Sequence, residues 1–188
     1  MHSVWKTSIR FTLIATVLLG LGYPLVVTAI AGLLFPHKAA GSLIQLQDGT
    51  VIGSELLAQS FTSDRYFHPR PSAAGNGYDA TSSSGSNLAS TSKSLIDRVQ
   101  ASVTTTQNTS KTPVPVDLVT ASASGLDPDL TPDAAVYQIP RVAKARNLTE
   151  PQVQKLVEQH ITARQFGVLG EPRVNVLALN RDLDKLGK

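Results

Sequence analysis

The chain has 188 residues, and its 17 Lys and Arg against 14 Asp and Glu give a formal net charge of +3 at pH 7. It contains no cysteine, which excludes disulfides, thiol catalysis and thiolate metal sites. Lys6 and Arg10 precede every acidic residue, so the rest of the chain is close to neutral, without a basic stripe interleaved with aromatic residues. Nucleic-acid binding is therefore not expected.

The first element is an apolar segment from Phe11 to Phe35 that contains no Asp, Glu, Lys or Arg. As a helix rising about 1.5 Å per residue, it spans a hydrocarbon layer roughly 30 Å thick. Pro24 predicts a kink, which a membrane helix tolerates. The alternative is a cleaved signal peptide with its cleavage site at 29–31. The apolar segment continues past that site, which favours a retained anchor.

The charges that flank the apolar segment indicate its orientation. Lys6 and Arg10 lie just before it, and Lys38 lies just after it. Because positive charge favours the cytoplasmic side, we expect the N-terminus inside the cell and the bulk of the chain outside. The predicted parts are a cytoplasmic N-terminus (1–10), a transmembrane helix (11–35) and an extracytoplasmic domain (36–188).

The first half of this domain reads mostly as short elements and loops. Residues 43–52 predict a β-hairpin around Asp48-Gly49, because Asp-Gly between two apolar runs is typical of a tight turn. Ser54 predicts the cap of a short helix, and residues 66–68 predict a short strand stopped by prolines. Residues 72–92 are rich in Ser, Thr, Gly and Ala. They predict a long irregular loop whose exact conformation the sequence leaves open.

The second half predicts three helices from their start signals or apolar faces. One carries Leu95, Ile96, Val99 and Val103 on one face, one begins at Thr131-Pro132, and one begins with a capping box of Thr149 and Gln152.

Two strands are predicted between and after these helices, at 116–120 and 174–179, and Asn180 predicts the cap of a final short helix. The expected fold class is α+β: a single N-terminal transmembrane helix followed by one mixed α/β extracytoplasmic domain.

The hydroxyls of Ser122 and Ser124 raise the question of nucleophilic catalysis. A serine hydrolase needs a histidine base beside its nucleophile. His2 and His37 flank the membrane segment, which leaves His68 and His160, and His160 falls on an otherwise apolar helical face. No catalytic site is therefore expected in this chain.

Three carboxylates, Asp127, Asp129 and Asp133, resemble a calcium loop only loosely. The EF-hand pattern needs further oxygen ligands and a glutamate at its twelfth position, which this segment lacks. The neighbouring prolines favour a turn that leads into a helix, so no metal site is predicted. The sequence leaves cofactor-binding residues unknown.

Five segments together resemble a known family over essentially the whole chain. They are YFHPRPSA (66–73), GSNL (85–88), PVPVDLVTASASGLDPDLTPDAA (113–135), YQIPRVAKARNL (137–148) and LGEPRVNVLALNRDLDKL (169–186). With the single N-terminal span, they resemble the C subunit of the bacterial Kdp potassium-transporting P-type ATPase.

The resemblance implies an inner-membrane complex that imports K⁺ using ATP and Mg²⁺. The implied partners are a channel-like potassium-translocating subunit, a P-type ATPase catalytic subunit and a small stabilising subunit. The C subunit itself is expected to be an accessory, non-catalytic chain with its domain on the periplasmic side, near the outer entrance of the channel-like subunit. Its expected roles are assembly and stability of the complex, and gating or cation access at the outer face.

The loops 70–92 and 120–129 are the expected partner-contact or cation-access regions. The candidate residues in them are Asp79, Ser86, Asn87, Ser122, Ser124, Asp127 and Asp129. Two alternatives stay open. The chain assists nucleotide binding by the catalytic subunit, which would require inverted topology, or it is a stand-alone membrane-anchored binding module.

Overall fold

The computed structural model describes residues 2–46, 48–107 and 112–186, which fall into two compact units, Met1–Ile52 and Gly53–Lys188. The helices are α1 (His2–Val17), α2 (Tyr23–Leu34), α3 (Pro36–Ala39), α4 (Lys93–Thr106), α5 (Pro132–Arg146), α6 (Glu150–Gln159) and α7 (Val176–Leu186). The strands are β1 (Leu43–Gln45), β2 (Val51–Ser54), β3 (Asp129–Leu130), β4 (Ile161–Thr162) and β5 (Arg173–Asn175). One apolar N-terminal helix followed by a mixed helix-and-sheet region confirms the predicted fold class.

The N-terminal helix runs from Ser3 to Leu34 and is long and apolar enough to cross a membrane. A π-helical turn, Leu18–Gly22, joins α1 to α2 just before Pro24. Proline has no N–H and its ring crowds the preceding turn, and the wider π-helical turn accommodates both effects. The bounds of the membrane-embedded part remain predictions.

The predicted hairpin at 43–52 is confirmed, with β1 and β2 forming a two-stranded sheet. The Leu46 N–H donates to the Thr50 carbonyl at 2.9 Å, and Gly49 adopts φ 83°, where glycine is favoured. Asp48 Oδ1 accepts from the Thr50 N–H at 2.9 Å. Gln47, within this turn, lies outside the described residues.

The core of the second unit lies between α5, α6, α7 and a three-stranded antiparallel sheet of order β3-β5-β4. Leu130 on β3 and Ile161 on β4 both pair with Val174 on the central strand. The largest fully buried apolar side chains are Phe67, Leu130, Val142, Val153, Val157, Val174, Leu179 and Leu183. Burial of this apolar surface is the main favourable contribution to folding of the unit.

The helix starts follow their sequence signals. Thr131 Oγ1 accepts from the Ala134 N–H at 3.3 Å, and Gln152 Oε1 accepts from the Thr149 N–H at 2.9 Å, so both predicted caps are confirmed. Helix α4 is also confirmed; it begins after Ser92, and none of its residues is buried.

Two predicted strands are wrong in part or in whole. Residues 116–118 form a 3₁₀ turn, because the buried Asp117 carboxylate turns back to accept from the Thr131 N–H at 2.9 Å. The predicted strand at 174–179 ends at Asn175, whose Oδ1 accepts from the Ala178 N–H at 3.0 Å and starts α7. Asn180 is therefore not a cap and lies buried within α7.

Two predictions in the first half of the domain are also wrong. Ser54 Oγ accepts from the Leu56 N–H at 3.1 Å, but the chain makes only a turn there and no helix follows. The backbone instead pairs with distant segments, as the Ala58 N–H donates to the Leu126 carbonyl at 3.0 Å. Residues 66–68 are in no strand, because side chains rather than a neighbouring strand bind the backbone of Phe67 and His68.

Candidate functional site

Two side-chain amides bind the backbone of residues 67 and 68. The Phe67 N–H donates to Asn180 Oδ1 (2.8 Å), and Asn180 Nδ2 donates to the Phe67 carbonyl (3.0 Å). Gln138 binds the N–H and carbonyl of His68 in the same way, at 2.8 and 3.1 Å. Each amide supplies the donor and acceptor that a neighbouring strand would supply. This pairing fixes the start of the loop that follows at residue 70.

The two predicted polar loops pack against each other, and we call residues 70–87 and 120–129 together the loop platform. Gly125 lies at the contact, with φ 67°. A Cβ at this position would lie 2.6 Å from the Ser84 carbonyl oxygen and 2.7 Å from the Ala74 nitrogen. Ser72 Oγ donates to the Gly125 carbonyl at 2.6 Å. Only glycine allows the loops to approach this closely.

The serines of the platform bind backbone groups. Ser122 Oγ accepts from the Gly125 N–H at 2.9 Å, and Ser124 Oγ accepts from the Leu126 N–H at 3.1 Å. The two hydroxyl oxygens are 3.4 Å apart. Ser83 Oγ donates across the platform to the Ser124 carbonyl at 3.0 Å. These contacts stabilise the turn rather than align a nucleophile with a base.

The carboxylates of the platform differ in their partners. Arg70 contacts Asp127 and Arg173 contacts Asp129, each at 3.0 Å. Burial raises the pKa of Asp129, and the Arg173 charge counteracts part of that rise. Within the described ranges, no group of three His, Cys, Asp or Glu residues is arranged to hold a metal ion.

Asp79 is exposed and accepts hydrogen bonds at Oδ1 from the Thr81 hydroxyl (2.7 Å) and N–H (2.9 Å). Both bonds lower the pKa of Asp79, so its carboxylate stays charged at neutral pH. Ser86 is half-buried, whereas Asn87 is exposed and adopts φ 51°. The platform thus brings Asp79 and the Ser86–Asn87 pair onto the same loop assembly as Ser122 and Asp127.

A cavity of about 490 Å³ is lined partly by residues 60–71 and was not predicted from the sequence. Its apolar walls include Phe61, Pro69, Pro71, Tyr78, Tyr137 and Pro140. Its polar groups include His68 and Arg141, together with several Ser and Thr hydroxyls. The repeated Pro and aromatic residues near 66–71 and 137–140 were the available sequence signal.

Arg141 organises the polar side of the cavity. Its guanidinium donates to the carbonyls of Asp64 (2.8 Å) and Tyr66 (3.0 Å) and to Gln138 Oε1 (2.8 Å). Arg141 Nη1 also lies 3.4 Å from His68 Nε2. Burial and the Arg141 charge lower the pKa of His68, so the imidazole is neutral at pH 7.

The other domain histidine is held between two helices. His160 Nδ1 lies 2.9 Å from the Leu156 carbonyl, and Nε2 lies 3.0 Å from Asp182 Oδ2. Its hydrogen-bond partners therefore belong to α6 and α7 and not to the loop platform.

The three named residues of the predicted span lie along the N-terminal helix or at its end. Phe11 is in α1 and is 73% exposed, Pro24 is in the first turn of α2, and Phe35 follows α2 with its N–H donating to the Ala31 carbonyl at 2.8 Å. An apolar helix with an exposed surface of this kind fits a membrane location.

The fold and site define a class: an α/β domain that follows one apolar helix of membrane-spanning length, with two polar loops locked together at a glycine. Residues 5–185 match the family described as KdpC: K+-transporting ATPase, c chain. The chain therefore belongs to the KdpC family and is a subunit of a potassium-transporting ATPase.

Individual relatives are similar to this chain over nearly their whole length. A potassium-transporting ATPase KdpC subunit from Acidobacterium capsulatum is 59% identical over 181 residues, which cover 96% of this chain and 97% of the relative. The KdpC subunit from Koribacter versatilis is 52% identical over 95% of this chain and 92% of the relative. The KdpC subunit from Rhodopseudomonas palustris is 54% identical over 95% of this chain and 96% of the relative. The subunit name implies further subunits, and the ATPase context fits potassium transport and ATP use.

Proposed function

We propose that this chain is an accessory, non-catalytic subunit of an ATP-driven, high-affinity potassium importer of the bacterial inner membrane. Its N-terminal helix anchors it beside the channel-like, catalytic and small stabilising subunits. Its domain lies on the periplasmic side and stabilises the assembly at the outer face, where the loop platform contacts a partner or borders the path of the cation.

The observation that supports this proposal is that the hydroxyl and carboxylate groups of the loop platform hold its loops in place. The hydroxyls of Ser122 and Ser124 accept from backbone N–H groups, and the carboxylates of Asp127 and Asp129 contact arginines. Ser122 is buried and fixes the turn, whereas Ser124, Asp127 and Asp129 are at least partly exposed and form part of a rigid polar surface. A preorganised surface suits docking, because little conformational entropy is lost on association.

Purification of a tagged copy from its host membrane tests the accessory role. We expect larger membrane subunits to co-elute with it, together with potassium-stimulated ATP hydrolysis. A full-length chain that elutes from detergent extracts as a monomer, free of such subunits, would contradict the proposal.

The proposed topology has its own test. A protease-sensitive epitope placed after Lys188 is expected to be cleaved in spheroplasts without lysis. Protection of the epitope until lysis would place the domain in the cytoplasm and would favour the alternative in which the chain assists nucleotide binding.

Cation access rests mainly on Asp79, because the other two candidate carboxylates already contact arginines. An exposed charge about 10 Å from a cation path changes the local potential by roughly 0.4 kcal/mol in water, which is about twofold in concentration. Asp79→Asn is therefore expected to raise the potassium concentration for half-maximal uptake about twofold at low ionic strength, and salt should abolish the difference. Equal values for Asp79→Asn and a Glu158→Gln control on α6 would refute steering while leaving assembly unaffected.

The cavity of about 490 Å³ supports a second candidate function, a membrane-anchored module that binds a small ligand. Its mixture of aromatic walls and a few polar groups is typical of small-molecule sites. Thermal-shift screening of the full-length chain against small organic solutes tests it, with Tyr137→Ala as the variant in which a true ligand loses its effect.

A further inference from the structure

The hairpin that joins β4 to β5 exposes an apolar tip. We call residues 161–175 the β4–β5 hairpin, and its strands pair Thr162 with Arg173. Phe166 at the tip is 93% exposed, Val168 is 72% exposed and Leu169 is 56% exposed. Among the described residues beyond the N-terminal helix, Phe166 and Val168 are the most exposed large apolar side chains. Neighbouring apolar residues exposed at one loop tip indicate an interaction site rather than scattered surface residues.

The tip has a defined conformation. Gln165 and Leu169 exchange two backbone hydrogen bonds, each of 2.9 Å, and the Val168 N–H also donates to the Gln165 carbonyl at 3.2 Å. Arg164 and Glu171 form an ion pair at 2.5 Å across its base. The hairpin therefore presents its apolar side chains from a fixed backbone.

Phe166 has a strained backbone conformation, and burial of its side chain does not compensate for the strain because the ring is exposed. It adopts φ 53°, a left-handed conformation that is unfavourable for a bulky residue, beside Gly167 at φ 77°. Strain of this kind points to a function when it is observed directly. Here its effect is to project an aromatic ring into solvent.

The charges around the tip indicate what covers it. Residues 165–170 carry no charge, and the two arginines nearest to them in the sequence pair with carboxylates, Arg164 with Glu171 and Arg173 with Asp129. An anionic lipid surface would be matched by unpaired basic residues at this position. An uncharged aromatic anchor with a polar, charge-balanced border instead matches the core and rim of a protein interface.

We propose that the tip of the β4–β5 hairpin, led by Phe166, inserts into an apolar recess on another subunit of the potassium-transporting ATPase. The inference rests on the proposed function and adds the surface through which the subunit docks. A rigid aromatic with two side-chain torsions loses little entropy on burial, so a single inserted ring contributes strongly to affinity.

The first test compares two substitutions, each made in the tagged full-length chain. Asn tolerates the left-handed conformation, so Phe166→Asn keeps the hairpin and removes the ring. We expect about tenfold weaker retention of the partner subunits on dilution. Leu56→Asn removes a side chain that is 60% exposed on another segment, and retention should be unchanged. Neither variant should have a lower unfolding midpoint than the parent chain.

The outcomes separate the two proposals. If the unmodified chain retains no partner subunit, the accessory role fails and this inference fails with it. If the unmodified chain and Phe166→Asn retain the partners equally, the accessory role stands and the hairpin inference is overturned.

The second test identifies the occupant directly. The photoreactive residue p-benzoylphenylalanine is placed at position 166 of the full-length chain and irradiated in intact membranes. We expect a covalent adduct with a subunit that co-purifies with the chain. An adduct with lipid alone, or no adduct, overturns the proposal, and the same residue at position 56 measures the background.

Discussion

A single glycine determines whether the two polar loops can meet. A methyl group at Gly125 would contact the Ser84 carbonyl at 2.6 Å, and φ 67° is unfavourable for any residue with a Cβ. Gly125→Ala should lower the free energy of unfolding by about 2–4 kcal/mol, from overpacking added to the left-handed conformation.

Gly170→Ala is the matched control for this prediction. Gly170 has φ 77°, but nothing lies within 4 Å of its added Cβ, so only the conformational cost of about 1–2 kcal/mol remains. Denaturant unfolding followed by circular dichroism in detergent measures both variants. Equal losses would show that the close contact at Gly125 contributes nothing.

His68 gives the second unit a pH-dependent stability. Because burial and Arg141 lower its pKa in the folded state below the ordinary value of 6.5, the unfolded chain takes up a proton more readily. Stability is therefore fully present above pH 6.5 and falls as the pH drops from there towards the folded-state pKa. Asp64 and the Ser63 carbonyl, which favour protonation, limit the effect.

Unfolding measured at pH 7.5 and pH 5.5 tests this dependence. The parent chain should be less stable at the lower pH, and His68→Gln should show a smaller difference between the two. An unchanged difference in the variant would assign the pH dependence to other groups.

At the scale of elements, the amide pairs replace a missing strand. Asn180 is 1% exposed and binds both backbone groups of Phe67. Asn180→Leu leaves these two groups unsatisfied and should cost about 2–5 kcal/mol, with faster amide exchange at residues 66–68. Gln154→Leu, which removes one exposed hydrogen bond to Glu158, should cost less than about 0.5 kcal/mol. Similar costs for both variants would contradict the role given to Asn180.

The helix starts could be predicted because their signals are local. Thr131-Pro132 and the Thr149–Gln152 box each act within one helical turn, and the structure confirms both. Local signals could not predict the conformation of residues 116–120, because Asp117 binds Thr131, 14 residues away. Residues 66–68 depend on Asn180, 113 residues from Phe67. Distant side chains, not local propensity, decide these segments.

The candidate site was predictable in composition but not in geometry. Ser, Gly and Asp residues mark both loops in the sequence, and candidate residues could be named from them. Their meeting at Gly125 and the ion pair of Arg70 with Asp127 depend on the folded chain. The hairpin tip was missed, because Gly167 and Gly170 indicate a turn without showing that Phe166 stays exposed.

At the scale of the whole molecule, the parts suit an anchored subunit. The N-terminal helix has the length and composition of a membrane span. The second unit has a core of three helices and a small sheet, with a fixed polar platform and a separate apolar hairpin tip. In the proposed function, the hairpin tip contacts a partner and the loop platform borders the path of the cation.

The most direct test of the accessory role is ATP hydrolysis by the complex purified with and without this chain. We predict that potassium-stimulated hydrolysis is lost when the chain is absent and returns when the full-length chain is added back. Gly125→Ala should restore it less well than the unmodified chain. An unchanged rate of potassium-stimulated hydrolysis in the complex that lacks this chain would contradict the account.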